Sequence, residues 1–192
     1  HQVGALVHQS PGQWHSEHGL HNGVELWRAG CIASPLYTPI SPGWPLRMNQ
    51  ALKAIQPEVL HLHMPNPSCF AALFSARARA LPWIVHWHAD VSTDMPDWRV
   101  RAAYRVYRPF EQWLLRRAKA VVATSQAYLD ASSALASWAD KTMVIPLGIR
   151  DCGEDAGIPP VWPLTNGLRI LSVGRLSHYK GFATLLEALA GL

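Results

Sequence analysis

Cysteine, long apolar runs and charge are all scarce in this chain, and each scarcity removes a class of protein. Three cysteines, Cys31, Cys69 and Cys152, are scattered among 192 residues, and no C-x-x-C pair occurs. That pattern argues for a reducing compartment and against a disulfide framework. A bilayer span takes about 20 apolar residues, and the longest candidate, Cys69 to Val85, is broken by Arg77 and Arg79. No signal peptide is visible. Seventeen Lys and Arg against 13 Asp and Glu leave a formal charge of +4, a mild excess that suits anionic partners without naming one. G-x-G-x-x-G, the Walker A loop, H-E-x-x-H and G-x-S-x-G are all absent. Asn66-Pro67-Ser68 fails as a glycosylation acceptor because proline holds its middle position. Nothing resembles a nucleic-acid module. The chain opens on His1 just before a strand-like run, Val3 to Val7, and closes on Leu192 in or just after a helical pattern. A fragment of a longer protein is therefore expected.

What is present is an alternation of short apolar runs and helical patterns, with 49% apolar residues, enough for a substantial core. Asn22-Gly23 predicts a turn before a strand at Val24–Trp27, and Ser34 to Pro45, with four prolines, reads as loop. Val59–His63 reads as a buried strand. Asn66 can cap a helix that has Pro67 at its first position and runs to about Ala80. Trp83–His88 is the next strand, and Trp98 to Lys119 a long helical region that Pro109 bends or restarts. Ala120–Ala123 is a strand, Thr124 or Ser125 caps a helix to about Trp138, and Met143–Pro146 is a further strand. Strands alternating with helices predict an α/β fold with a Rossmann-like parallel sheet and helices on both faces. Residues 150–167, rich in Gly, Pro and acid, read as a linker between an N-terminal domain, 1–149, and the start of a second domain, 168–192.

Three constellations could carry chemistry. Arg169 to Leu189 reads as strand, basic turn and helix start. Gly174 closes the apolar run, Arg175 and Lys180 supply cations, and Gly181 stands at the mouth of a helical pattern. A helix N-terminus attracts anions, so with those cations it is a plausible diphosphate cradle. A plain turn with two solvated cations is the alternative, and spacing does not choose between them. Histidine is the unusual residue. His61 and His63 share one strand face, as do His86 and His88, and His63 and His88 fall at the carboxyl ends, where doubly wound sheets bind ligands. Asp90 follows closely. The alternatives are four core or rim histidines satisfied by backbone, or a zinc site joined by His15, His18 and His21, whose spacing fits no known zinc framework. Finally, Arg101, Arg105 and Arg108 stack at i, i+4, i+7, with Val100, Ala103, Tyr107 and Phe110 turned toward a core. The stripe is either a solvated face or a contact for an anionic membrane surface or acceptor.

Five segments, in order, resemble family-4 glycosyltransferases of the GT-B fold. They are Glu58-Val-Leu-His-Leu-His-Met-Pro-Asn-Pro67, Trp87-His-Ala-Asp-Val91, Tyr107-Arg-Pro-Phe through Ala118-Lys-Ala-Val-Val-Ala-Thr-Ser125, Asp140-Lys-Thr-Met-Val-Ile-Pro-Leu-Gly-Ile149, and Leu171-Ser-Val-Gly-Arg-Leu through Tyr179-Lys-Gly-Phe182. The resemblance covers about Pro57 to Leu192. It implies two facing Rossmann-like domains with a sugar nucleotide between them. The expected enzyme retains anomeric configuration. It moves a hexose, mannose among the candidates, from a nucleoside-diphosphate sugar to a lipid-linked or cell-surface glycan. Arg175 and Lys180, with Gly174 and Gly181, match the positions that hold the donor diphosphate. His88 matches a histidine near the reacting sugar, as catalytic candidate, with His63, Asn66 and Asp90 at the acceptor-side cleft rim. No metal, no other cofactor and no nucleic-acid partner is expected. The expected location is the cytoplasm, with the inner membrane face a candidate docking surface. His86 stands where the family more often has a small hydroxyl residue. The family's first strand and Gly-rich loop would precede His1, and its donor-site glutamate pair would follow Leu192, so the fragment alone is expected to be inactive. Two rival functions are a non-catalytic module binding nucleotide or sugar phosphate, and a histidine-based metal-dependent hydrolase.

Overall fold

A computed structural model describes residues 2–35, 38–91, 98–148, 170–174 and 180–191. It divides into two units, 1–149 and 150–192, each taken here by itself.

The first unit begins with a three-stranded sheet. β1 (Gly4–His8), β2 (Glu17–His21) and β3 (Val24–Ala29) stand in the order β1-β3-β2. β1 runs parallel to β3, while β2 and β3 form an antiparallel hairpin. The turn between them is Asn22-Gly23, both at positive φ, 48° and 81°, the left-handed pair that matches strand twist and that Asn and Gly adopt most readily. Helix α1 (Trp44–Ile55) follows; it starts inside Ser34 to Pro45, which the sequence reads as loop, and runs on through residues that the sequence left unassigned. Its signals are Pro45 in the first turn and the apolar spacing Trp44, Met48, Ala51, Leu52, all four buried, but the prolines before it mask the start.

The second sheet carries β4 (Leu60–Met64), β5 (Trp83–Trp87), β6 (Ala120–Ala123) and β7 (Thr142–Val144), all parallel and in sequential order. The crossovers differ from the expected helices in two places. After β4, Asn66 caps a 3-10 turn (Pro67–Phe70), its Oδ1 accepting from the Ser68 N–H at 3.1 Å. The expected single helix is then split into α2 (Ala71–Phe74) and α3 (Ala76–Arg79). Ser75 causes the break. It is extended, its Oγ accepts from the Ala78 N–H, and its hydroxyl donates to Asn49 Oδ1 at 2.6 Å. That side chain gives the backbone an alternative to the helical ladder. Between β5 and β6 runs α4 (Trp98–Arg117), one continuous helix with Pro109 inside it. After β6, Ser125 caps α5 (Gln126–Ala131), which ends at an extended Ser132 rather than reaching Trp138, and a 3-10 segment, Ala136–Lys141, leads into β7.

The core lies under this parallel sheet. Trp83, Val85 and Trp87 of β5 and Val121 and Ala123 of β6 are fully buried beside Leu73, Leu114, Leu115 and Leu135. Aromatic burial of this size dominates the energetics of such a core. Both tryptophans also satisfy their N–H groups. Trp83 Nε1 donates to the Ala78 carbonyl at 2.7 Å, and Trp87 Nε1 to Asp90 Oδ1 at 2.8 Å. Lys141 closes the carboxyl end of α4, its Nζ donating to the carbonyls of Leu115, Arg116 and Ala118, where a cation also complements the helix dipole.

In the second unit, of the strand expected at 168–173, residues 170–173 form no ladder among the described residues, and Leu168 and Arg169 lie outside the described residues. A strand needs a neighbour to take its N–H and C=O groups, and none of the described residues supplies one. Helix α6 (Phe182–Ala190) starts where the sequence placed it, with Gly181 at its N-cap in the left-handed region, φ 68°.

Glu111 is the one fully buried acid among the described residues. Its Oε1 accepts from the Tyr104 hydroxyl at 3.1 Å, and Oε2 has no partner. Burial pushes its carboxyl above the ordinary value. The folded state therefore keeps a proton that the unfolded chain releases above pH ~4.5, so stability from this group is lost as pH rises past that point. Glu111→Gln keeps the acceptor and removes the ionisation. Its stability relative to the parent chain should be greater at pH 7 than at pH 4, as read from denaturant midpoints at the two pH values.

Candidate functional site

The carboxyl ends of β4 and β5 bring the sequence-selected histidines together. The parallel register sets His63 opposite His86. With side chains alternating along each strand, His61, His63, His86 and His88 share one face. Their rings form a stack with centroid separations of 4.4 Å (His86–His88) to 5.5 Å (His61–His86). At its edge, His63 Nδ1 and His88 Nε2 lie 2.8 Å apart and share a hydrogen bond. These two rings thus satisfy each other and not the backbone. One nitrogen of the pair must carry the proton, so the two tautomers are linked. Burial and mutual repulsion hold His61, His63 and His88 below the ordinary imidazole range, favouring neutral rings.

The pair opens into a depression of about 360 Å³ lined by Thr38, Pro39, His63, Met64, Pro65, Asn66, Pro67 and His88. Asn66, selected from the sequence, is on its wall, and the Met64-Pro65 peptide is cis. Asn66 spends Oδ1 on the cap at Ser68. A neighbour that the sequence did not single out is His8, at the end of β1. It stacks on Trp44 at 4.1 Å, and burial lowers its pKa against a partial pull from the Asn66 amide.

Asp90 sits beside this wall with its carboxylate turned to protein donors. Oδ1 accepts from the Tyr128 hydroxyl at 2.6 Å, the Ser132 hydroxyl at 2.7 Å and Trp87 Nε1 at 2.8 Å. Burial opposes the charge, but these donors outweigh it and hold the carboxyl below its usual range. Asp90 therefore ties the segment after β5 to α5 and to Ser132, the residue that ends α5. Such long-range partners leave no local signal in sequence.

The remaining candidates fall elsewhere. Arg101, Arg105 and Arg108 are exposed on α4, on the same helical face as Trp98, itself 66% exposed. Tyr107 and Phe110 pack against the core as expected, while Ala103 stays exposed. In the second unit, Gly174 lies against the Phe182 ring and the Lys180 stem, where an added Cβ would meet them at 3.4 Å and 4.0 Å. Gly174, Lys180 and Gly181 are thus gathered at the start of α6. Arg175 lies outside the described residues. Cys31 and Cys69 are buried free thiols, and burial pushes the Cys69 thiol up to about 12. Cys152 lies outside the described residues. No described helix is long and apolar enough to cross a membrane.

Residues 1–148 match the glycosyl transferase 4-like domain. The chain is 30% identical over 134 residues to O-antigen chain mannosyltransferase C of Escherichia coli, covering 68% of this chain and 34% of that protein. It is 29% identical over 148 residues to D-rhamnosyltransferase WbpZ of Pseudomonas aeruginosa, covering 72% of this chain and 35% of that protein. The chain thus spans about a third of the length of the curated relatives it matches.

Because the Asp90 carboxyl is depressed in the folded state, its stabilisation is present above pH ~3.8 and lost as pH falls through the folded value. Asp90→Asn should cost about 1.5–3 kcal/mol at pH 7, the scale for hydrogen bonds to a charged group. That deficit should shrink as pH drops below ~3.8, as followed by Trp fluorescence during denaturant unfolding across pH.

Proposed function

The chain belongs to the glycosyl transferase 4-like family, and from that membership we propose that it forms the acceptor-side domain, with the opening of the donor domain, of a hexosyltransferase. The substrates are a nucleoside-diphosphate sugar and a lipid-linked or cell-surface glycan, and configuration is retained. The observation that supports this reading is the family match over residues 1–148. The two relatives, named as a mannosyltransferase of an O-antigen chain and a D-rhamnosyltransferase, point to polysaccharide assembly and to mannose or rhamnose as the sugar class.

In the transfer, the bond from the anomeric carbon to the diphosphate breaks, and a bond to an acceptor hydroxyl oxygen forms. The acceptor hydroxyl's proton passes to water, and the diphosphate oxygen leaves with the electron pair of the broken bond. Arg175 and Lys180 would hold that charge as it develops, the guanidinium bidentately and the ammonium as a point charge, with the α6 N-terminus adding its dipole. This division of labour requires no metal at the leaving group. His88, linked to His63, would hydrogen-bond the reacting sugar or orient the acceptor hydroxyl. Asn66 would line the rim, and Asp90 would position His88 through the segment it anchors. Arg101, Arg105 and Arg108, exposed beside Trp98, would meet an anionic membrane surface at the cytoplasmic face.

The test is a transfer assay on the protein expressed from its natural reading frame, against a panel of nucleotide sugars. Hexosyl transfer should be detected, and Arg175→Ala or Lys180→Ala should lower turnover by about 10²-fold or more. Wild-type rates in both variants would refute the role given to the cations. No transfer from any donor would refute the reading as a whole.

A further inference from the structure

We infer that His63, His86 and His88 form a binding site for one divalent cation of the zinc class, at the edge of the depression lined by His63 and His88. The ligand nitrogens of these three side chains all lie within 4.8 Å of one another. Adjacent ligands of a tetrahedral zinc bound at 2.0–2.1 Å sit roughly 3.3 Å apart. The His63–His88 pair, at 2.8 Å, would open by about half an ångström, with the metal replacing the shared proton. His86 supplies a second and independent observation. Its Nε2 is buried and has no hydrogen-bond partner, a condition that calls for an explanation in a folded protein. A cation taken up by that nitrogen would satisfy it.

The backbone makes the site cheap to hold. His63 and His86 are fixed by the ladder register, His88 follows two residues later on the same face, and His61 stacks behind at 4.6 Å from His63. The backbone positions are thus set, and binding needs the stacked rings to turn about their side-chain bonds so that their in-plane lone pairs converge. The donor set is nitrogen alone. Asp90 is committed to Trp87, Tyr128 and Ser132, and the Cys69 thiol is buried, protonated and turned to the His63 carbonyl. Three imidazoles select zinc, copper, nickel or cobalt and offer nothing to magnesium or calcium, which require oxygen. Three protein ligands also leave a coordination position open toward the cleft. The inference concerns binding alone and stands apart from the diphosphate cradle, but it shares His63 and His88 with the proposed transfer; metal uptake without transfer, or transfer by metal-free protein, tells the two apart.

Calorimetric titration of chelator-treated protein with Zn2+ tests it, with Co2+ as a visible probe. One equivalent of Zn2+ should bind, and Co2+ should give the d–d bands of a low-coordinate nitrogen site, unaffected by excess Mg2+. His63→Ala, His86→Ala and His88→Ala should each weaken binding by about tenfold or more, with His86→Gln as a second variant and circular dichroism confirming the fold. His15→Ala/His21→Ala should bind as the parent does. No saturable uptake, or uptake that survives loss of both His86 and His88, would overturn the inference.

Discussion

The His63–His88 hydrogen bond depends on one register. β4 and β5 run parallel with His63 opposite His86, so His88, one step beyond the end of β5, reaches back across the strand gap to His63. A slip of one residue in either strand would turn that strand's two histidines to the opposite face, where Leu62, Met64, Val85 and Trp87 now form the core. The same alternation that buries those four side chains therefore places the imidazoles on the other face, where His63 and His88 line the depression. Core and site are two sides of one ladder, and neither can move without the other.

The segment beyond β5 is held by a second constraint. Asp90 gathers Trp87, Tyr128 and Ser132 onto one carboxylate oxygen. The core tryptophan, α5 and the chain after β5 meet there, one residue past the alanine that follows His88. The position of His88 thus rests on the ladder before it and on an anionic anchor after it. This is a common division in α/β proteins, where a rigid sheet positions functional groups carried at strand ends.

The sheet was legible in the sequence because its signal is local. β4, β5 and β6 were found within a residue or two from short apolar runs, and the caps at Asn66 and Ser125 from residue type and position. The errors fall where a distant partner decides. The helix expected to Ala80 breaks at Ser75, whose hydroxyl bonds Asn49, 26 residues earlier. The helix expected to Trp138 stops at Ser132, whose hydroxyl goes to Asp90, 42 residues away. The α1 helix was hidden by the prolines before it. At the site, period-two spacing and the strand-end rule located His63 and His88. That the two would bond each other, and that His86 would be left with an unsatisfied nitrogen, required the register, which no single strand contains.

The most direct test of the proposal that the bonded His63–His88 pair acts as one unit is a double-mutant cycle on kcat/KM, in chelator-treated protein from its natural reading frame. His88→Ala and His63→Ala should each lower kcat/KM, and the double variant should lose little more than the worse single one, as expected for residues sharing one interaction. Losses that multiply independently, or a His88→Ala enzyme with unchanged kcat/KM, would contradict the account.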